Sequence, residues 1–332
     1  MIVACEEARL VYLIDPVFAA RDAAEAFEVP LFPSVAAMLE HCKPDAAIVS
    51  TPNSTHVAVS KELLSGGMNV LVEKPISVDS STGDDLVTFA NERGMNLLVG
   101  NHRWFNGYID ATKTALEEGL IGTPLAVSGL WMLCKPKDYF QPPTQWRASA
   151  EGGGVVLINM IHEVDILQYL LGPITRAHAE QMLPQRGHEA EEGAAILIRF
   201  ASGVVGTFLL CDSTPSQHNF ESSTGENPII PHAGADCYRI FGTEGTLSVG
   251  GMKVTSHRAT DEHSWSNTLT EDTLSINSVV PFDQQIEHFI QVIKGKEAPR
   301  CNGVDGVSAL RVCESIKKAM KEGVSVDVAS AT

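Results

Sequence analysis

The chain has 332 residues, 44% of them hydrophobic and 20% charged, and carries a formal net charge of −17 at pH 7. That length holds two domains with cores of their own. The acidic balance repels a phosphate backbone and argues against a nucleic-acid partner, and no apolar run reaches the length needed to span a membrane.

The predicted elements begin with Leu10–Ile14, a continuous apolar strand ending at Asp15-Pro16. A helix over Ala19–Phe27 follows, then a short strand at Leu31-Phe32 and a helix over Val35–His41 that Ser34 can cap. Asp45–Ser50 is the next strand and runs into Thr51-Pro52-Asn53. The helix Thr55–Ser65 stops at Gly66-Gly67, and the strand Val70–Val72 ends at Glu73-Lys74-Pro75, where proline forbids a further ladder bond. A helix over Thr82–Arg93 leads to a strand over Asn96–Gly100. Strands alternating with helices in this way predict βαβ units and a parallel sheet covered on both faces.

The pattern changes near residue 120. Pro124–Cys134 alternates as a long strand; Glu151-Gly152-Gly153-Gly154 breaks the chain; Val155–Leu171 is a helix stopped by Gly172-Pro173. Strand-like runs follow at Ala177–Leu183, Ala194–Phe200, Val204–Cys211, Cys237–Phe241, Thr246–Val249 and Lys253–His257, with closing helices at Phe282–Ile293 and Val304–Lys321. The expected architecture is α/β followed by α+β: a Rossmann-like parallel-sheet domain over 1–122 and an open-faced, mainly antiparallel sheet domain over 123–332, to which the closing helices add or from which they pack back on the first domain.

Three sets of residues carry chemistry. Lys74 sits at the mouth of a buried strand, where open α/β sheets bind ligands, and burial can tune an ammonium into an acid or base near neutral pH; taken alone, such a residue is more often a solvated strand-end lysine. Asp15, at the end of its strand, is either a ribose-binding acid or an ordinary Asp-Pro turn. Asn159, His162 and Asp165 share i, i+3 spacing on a polar stripe of an otherwise apolar helix. His162 can pass a proton at neutral pH, although one such histidine is commonly a satisfied core residue. Metal binding is not expected from a lone His-x-x-Asp pair. Cys5, Cys42, Cys134, Cys211, Cys237, Cys301 and Cys313 form no C-x-x-C, and M-I-V-A-C-E-E lacks the features of a signal peptide. Reduced thiols and a cytoplasmic location are expected.

Taken in order, L-V-Y-L-I-D-P, K-P-D-A-A-I-V-S-T-P-N-S-T-H, N-V-L-V-E-K-P-I, L-L-V-G-N-H-R-W-F-N and G-G-G-V-V-L-I-N-M-I-H-E-V-D-I-L-Q-Y-L-L-G resemble the glucose–fructose oxidoreductase / inositol dehydrogenase (Gfo/Idh/MocA) family. The resemblance implies hydride transfer between NAD(P) and a hydroxyl or carbonyl of a small polyol, sugar or secondary metabolite, and a homo-oligomer built through the C-terminal sheet. It implies Asp15 on the adenosine ribose, which fits NAD better than NADP. Thr51, Pro52, Asn53 and His56 would lie along the cofactor, with Glu73 at its nicotinamide end. Lys74 would be the catalytic lysine, and Asn101, His102 and Arg103 would border cofactor and substrate. His162 would be the second catalytic group. Trp146, Arg147, Asn159, and the run Ser222–Asn227 with His232, are candidate substrate contacts or plain loop surface.

The chain departs from the family pattern twice. Ile158 stands where many members have aspartate. No strand with G-x-G-x-x-G precedes Leu10–Ile14; Met1–Arg9 reads as the tail of a helix, and Met1–Cys5 could fold back beside Leu10–Ile14 as a hairpin strand. Three functions are therefore weighed: an NAD-dependent oxidoreductase; a cofactor-independent isomerase, lyase or cyclase using Lys74 and His162, which would need no dinucleotide; and a non-catalytic regulatory binding protein.

Overall fold

The computed structural model describes residues 2–17, 20–150, 152–258 and 263–329. The chain divides into two compact units, one of Met1–Phe105 with Val279–Val307 and one of Asn106–Ser278 with Ser308–Thr332.

The first unit alternates β1 (Leu13–Ile14), α1 (Arg21–Ala26), β2 (Leu31–Phe32), α2 (Val35–Leu39), β3 (Ala46–Val49), α3 (His56–Ser65), β4 (Asn69–Val72), α4 (Ser80–Glu92) and β5 (Leu97–Val99). Side-chain caps fix two helix starts: the Ala37 N–H donates to Ser34 Oγ at 3.2 Å, and the Thr82 N–H to Asp79 Oδ1 at 2.8 Å. The start of the helix expected over Ala19–Phe27 lies partly outside the described residues. Every strand pair is parallel, but the strands form two sheets, β1-β2 and β3-β4-β5.

Strand alternation explains how β4 and β5 are covered on both faces. Val70, Val72, Leu97 and Val99 pack with Leu63, Leu64, Leu86 and Ala90. Leu71 and Leu98 face the other way, onto Ile286, Phe289 and Val292 of α8 (Pro281–Ile293). Each such side chain stabilises the fold by roughly 1.5–3 kcal/mol. Ile2 and Cys5 join this second cluster. Ile2–Ala4 is one 3₁₀ turn, and among the described residues β1 pairs only with β2. The hairpin strand considered for Met1–Cys5 is therefore not formed by the described part of that segment, nor is a longer helix tail: burial of Ile2 and Cys5 draws the chain away from the β1 edge. Met1 itself lies outside the described residues.

The second unit opens with α5 (Gly107–Glu117), followed by β6 (Pro124–Met132), a π-turn over Val156–Met160 and α6 (Ile161–Leu171). It then runs β7 (Ile174–Gln181), β8 (Gly193–Phe200), β9 (Val205–Cys211), α7 (Phe220–Thr224), β10 (Tyr238–Gly242), β11 (Gly245–Val249), β12 (Lys253–Ser256) and β13 (Thr270–Thr273). The helix α9 spans Gly303–Glu322, and β14 is Val326–Asp327. Nine strands form one sheet in the order β13-β12-β11-β10-β6-β9-β8-β7-β14, antiparallel throughout except for β6 beside β9. Along β8 and β9 buried and exposed residues alternate, so one face carries a core and the other is open. The expected parallel domain followed by an open-faced, mainly antiparallel one is what the chain forms. α5, α7, β13 and β14 were not expected from the sequence.

Candidate functional site

In the first unit the candidate residues follow the carboxyl ends of β1, β3, β4 and β5 in sequence. Glu73 and Lys74 follow β4 directly and are half-buried. The Glu73 N–H donates to Val49 O at 2.9 Å and the Gly100 N–H to Val72 O at 2.7 Å. Gly100 leaves room for the Glu73 side chain, because a Cβ there would stand 3.0–3.1 Å from the Glu73 carboxylate, a tight approach. Asn101 is 1% exposed; its Nδ2 donates to Cys301 Sγ at 3.3 Å, and its buried Oδ1 has no hydrogen-bond partner.

Asp15 Oδ1 accepts the Val17 N–H at 2.7 Å, so the Asp-Pro turn is real, and it occupies one of the two carboxylate oxygens. Thr51 and Asn53 are half-buried and Pro52 is exposed. His56 differs from the cofactor-lining role the resemblance implies. It is buried, with Nδ1 2.8 Å from Pro75 O and Nε2 2.8 Å from Thr51 O, so whichever nitrogen carries the proton donates to one of the two loops, and the ring is closed off from solvent. Arg103 is also buried, and His102 stacks on Phe282 with ring centroids 4.1 Å apart.

The second unit builds its candidate residues around the start of α6. Gly154 has φ +89°, and a Cβ there would lie 2.2 Å from Glu191 Oε1. The absence of that Cβ lets Glu191 cap the helix start, accepting the Val156 N–H at 3.1 Å. The π-turn that follows displaces Asn159 from the regular i, i+3 stripe. Asn159 is half-buried, His162 is 9% exposed, and Asp165 is buried at 2%. Of the expected three-residue polar stripe, only Asn159 is thus partly exposed, and His162 and Asp165 lie inside.

Lys135 is the residue that sequence reasoning missed. It lies three residues beyond β6, and its N–H donates to Asp212 O at 2.9 Å. Its ammonium is 7% exposed and donates to Asn159 Oδ1 at 2.6 Å; Asp212 Oδ2 is 3.4 Å away, and the Tyr139 ring centroid 4.6 Å. Burial pulls the amine down to about 8, against the opposing pull of Asp212 and Glu221. Asp212 also takes Arg186, which pairs in turn with Glu192. The signal was present: Cys134-Lys135-Pro136 repeats the strand-end lysine-proline pattern of Glu73-Lys74-Pro75.

Arg147 stacks over the same Tyr139 ring, Cζ to centroid 3.9 Å, and Trp146 beside it is 42% exposed. The run Ser222–Asn227 is not open loop surface. Ser222 and Ser223 are buried in α7, whose Asn219 cap accepts the Ser222 N–H at 2.8 Å. His232 sits exposed, Nε2 3.3 Å from Ser223 O. The side chains brought together are therefore Lys135, Asn159, Tyr139 and Arg147.

Comparison with known proteins places both units. Residues 2–101 match the family model for the oxidoreductase family's NAD-binding Rossmann fold, and residues 113–328 match its C-terminal alpha/beta domain. The chain is 27% identical over 293 residues to a 1,5-anhydro-D-fructose reductase of Ensifer adhaerens, covering 86% of this chain and 80% of that one. It is 24% identical over 334 residues to an inositol 2-dehydrogenase of Rhizobium meliloti, covering 97% and 92%. Among solved structures, the WlbA dehydrogenase of Bordetella pertussis, in complex with NADH and UDP-GlcNAcA, shares the fold with a TM-score of 0.78 at 22% identity, covering 98% and 92%. An oxidoreductase from Agrobacterium radiobacter, in complex with NAD+, L-tartaric acid and magnesium, does so with a TM-score of 0.83 at 17% identity, covering 98% and 93%. With both of its domain models matched in order along the chain, this protein belongs to the Gfo/Idh/MocA oxidoreductase family.

Proposed function

We propose that the chain transfers a hydride between NAD and a hydroxyl or carbonyl of a small polyol or sugar, with Lys74 and His162 as its proton-transfer groups. The observation that carries this reading is the position of Lys74, half-buried directly after the buried strand β4, within the residues that match the NAD-binding domain. Open α/β sheets bind ligands at that end of their strands.

The residues present fit the cofactor. The buried, unpartnered Asn101 Oδ1 needs a donor, and a carboxamide N–H supplies one. Glu73, Thr51, Pro52 and Asn53 would border the dinucleotide, with Asn101 and Arg103 beyond them. The Asp15 oxygen not used in its turn would accept from ribose hydroxyls and repel a 2′-phosphate, which favours NAD over NADP. Bound NAD supplies the hydride acceptor. The chain's own residues supply the rest: when a carbinol carbon is oxidised its hydroxyl must lose a proton, and an amine or imidazole within hydrogen-bond reach can take it. Asn159, Trp146 and Arg147 are proposed substrate contacts, and exposed His232 is a peripheral one.

The inositol and anhydrofructose relatives suggest the first substrate panel: inositols, 1,5-anhydrofructose and acidic sugars, assayed with NAD+ and NADH. Lys74→Ala and His162→Ala should each lower kcat by about 10²–10⁴-fold while NADH affinity stays within about threefold. Unchanged turnover in Lys74→Ala would remove that residue from the reaction.

We also infer a homo-oligomer through the open sheet face. Leu197, Val205, Leu209 and Phe241 are 39–54% exposed there and adjoin across β8, β9, β6 and β10. Seven free cysteines, four of them buried, support a reducing compartment and hence the cytoplasm.

A further inference from the structure

The contact between Lys135 and Asn159 has a directional consequence. An ammonium has three donors and no acceptor, whereas an asparagine amide has a donor end and an acceptor end. Lys135 therefore takes the Asn159 oxygen, at 2.6 Å, and the amide nitrogen must turn away from it. The Lys135 main chain donates to Asp212 O, and the ammonium is held by the Asp212 carboxylate at 3.4 Å and by the faces of Tyr139 and Trp131 at 4.6 and 5.5 Å. Asp212 is in turn fixed by Arg186. The lock is thus rigid, while the residue it orients is half-buried and one turn before His162. Among the described residues no protein group accepts from Asn159 Nδ2. The Arg147 guanidinium, on the Tyr139 ring that also faces Lys135, donates to Tyr139 O and has no carboxylate partner among the described residues. Of the polar groups around Lys135 that remain open among the described residues, the Asn159 amide nitrogen and the Arg147 guanidinium are donors, and the Tyr139 hydroxyl can donate or accept.

We propose that Lys135 is a positioning residue for the substrate. By holding the Asn159 oxygen it presents the Asn159 amide nitrogen to the bound molecule, so that this position donates a hydrogen bond and selects a substrate whose oxygen there accepts one, a carbonyl or carboxylate in preference to a hydroxyl acting as donor. An aspartate in place of Asn159 would reverse that preference, because an ionised carboxylate only accepts. The proposal rests on the oxidoreductase reading only in placing substrate on the His162 side of the helix.

The test is a double-mutant cycle on Lys135→Met and Asn159→Ala, with kcat and KM measured separately for the best substrate of the panel. Each single variant should raise KM about tenfold, the double variant should raise it no further than about threefold beyond either single, and Lys135→Arg should restore most of the loss. A purely structural role would lower kcat through fewer active molecules and leave KM alone. Multiplicative effects in the double variant, or an unchanged KM in Asn159→Ala, would overturn the proposal. Should Lys135→Met fail to fold, Lys135→Gln replaces it, since its amide no longer dictates which end of Asn159 it meets. If the wild-type protein moves no hydride with any member of the panel, the oxidoreductase reading falls, and the lock is then read without substrate. In 15N-asparagine-labelled protein the Asn159 Nδ2 protons should show only weak cross-relaxation with the Lys135 ε-protons; strong cross-relaxation would mean that the nitrogen faces the lysine and would overturn the proposal on its own.

Discussion

Lys135→Met should change how stability responds to alkaline pH. The amine sits at about 8 in the folded chain against an ordinary lysine value of 10.5, with burial as the main cause. At 1.36 kcal/mol per pH unit, that gap costs the folded state about 3 kcal/mol at pH 7, where both folded and unfolded chains hold the proton. Between 8 and 10.5 the unfolded chain binds more protons than the folded one, so stability rises with pH across that window, and about 2.5 kcal/mol of the cost is relieved by pH 10. The groups facing the amine are Asp212 and Glu221, which raise it, and Arg147, which lowers it. Methionine has a similar length and no charge, and Asp212 keeps Arg186 when the lysine is gone. Urea unfolding of wild type and variant at pH 7 and pH 10 gives a difference in which the other titrating groups largely cancel. The advantage of the variant over wild type should be about 2.5 kcal/mol smaller at pH 10 than at pH 7. A difference that stays constant within about 0.5 kcal/mol would refute the claim that Lys135 is desolvated.

Gly154→Ala should destabilise the chain by about 2 kcal/mol or more in urea unfolding, since alanine at φ +89° is strained and its Cβ would displace the Glu191 cap. Asn101→Leu should act with opposite signs, stabilising the cofactor-free chain by about 1 kcal/mol through loss of an unpartnered buried oxygen and weakening NADH binding in a fluorescence titration. Leu197→Lys with Leu209→Lys, both on the open sheet face, should reduce the mass seen by light scattering to that of one chain without lowering the unfolding midpoint of that chain.

Most of the fold was legible because its apolar residues keep time with its backbone. Val70 and Val72 alternate with Leu71, and the alternation of β8 is visible in the sequence. What escaped had weak local signals. α5 buries Gly107, Ile109, Thr112 and Ala115, a face too small and polar to stand out, although Asn106 caps it. β13 reads Thr-Glu-Asp-Thr and is held as an edge strand by pairing with β12, not by burial. The π-turn before α6 has its supports far away in sequence, at Lys135 and Glu191.

The site divides along the same line. Lys74 could be picked out because strand, charge and proline are adjacent in sequence. Lys135 carries the same local pattern, but its chemistry depends on Asp212, Tyr139 and Asn159, which only the folded sheet gathers. His56 differs for the converse reason: its motif position suggests a ligand contact, whereas its ring is buried between two backbone carbonyls.

The measurement that most directly tests hydride transfer follows a label. A panel substrate deuterated at its carbinol carbon is incubated with the protein and NAD+, and both product and nicotinamide are analysed by mass spectrometry. The account predicts that the deuterium appears on the nicotinamide ring, in amounts matching the product formed, and that Lys74→Ala slows this transfer without changing where the label goes. Product formed with the deuterium released to water, at the same rate with or without NAD+, would contradict it and identify proton chemistry that needs no dinucleotide.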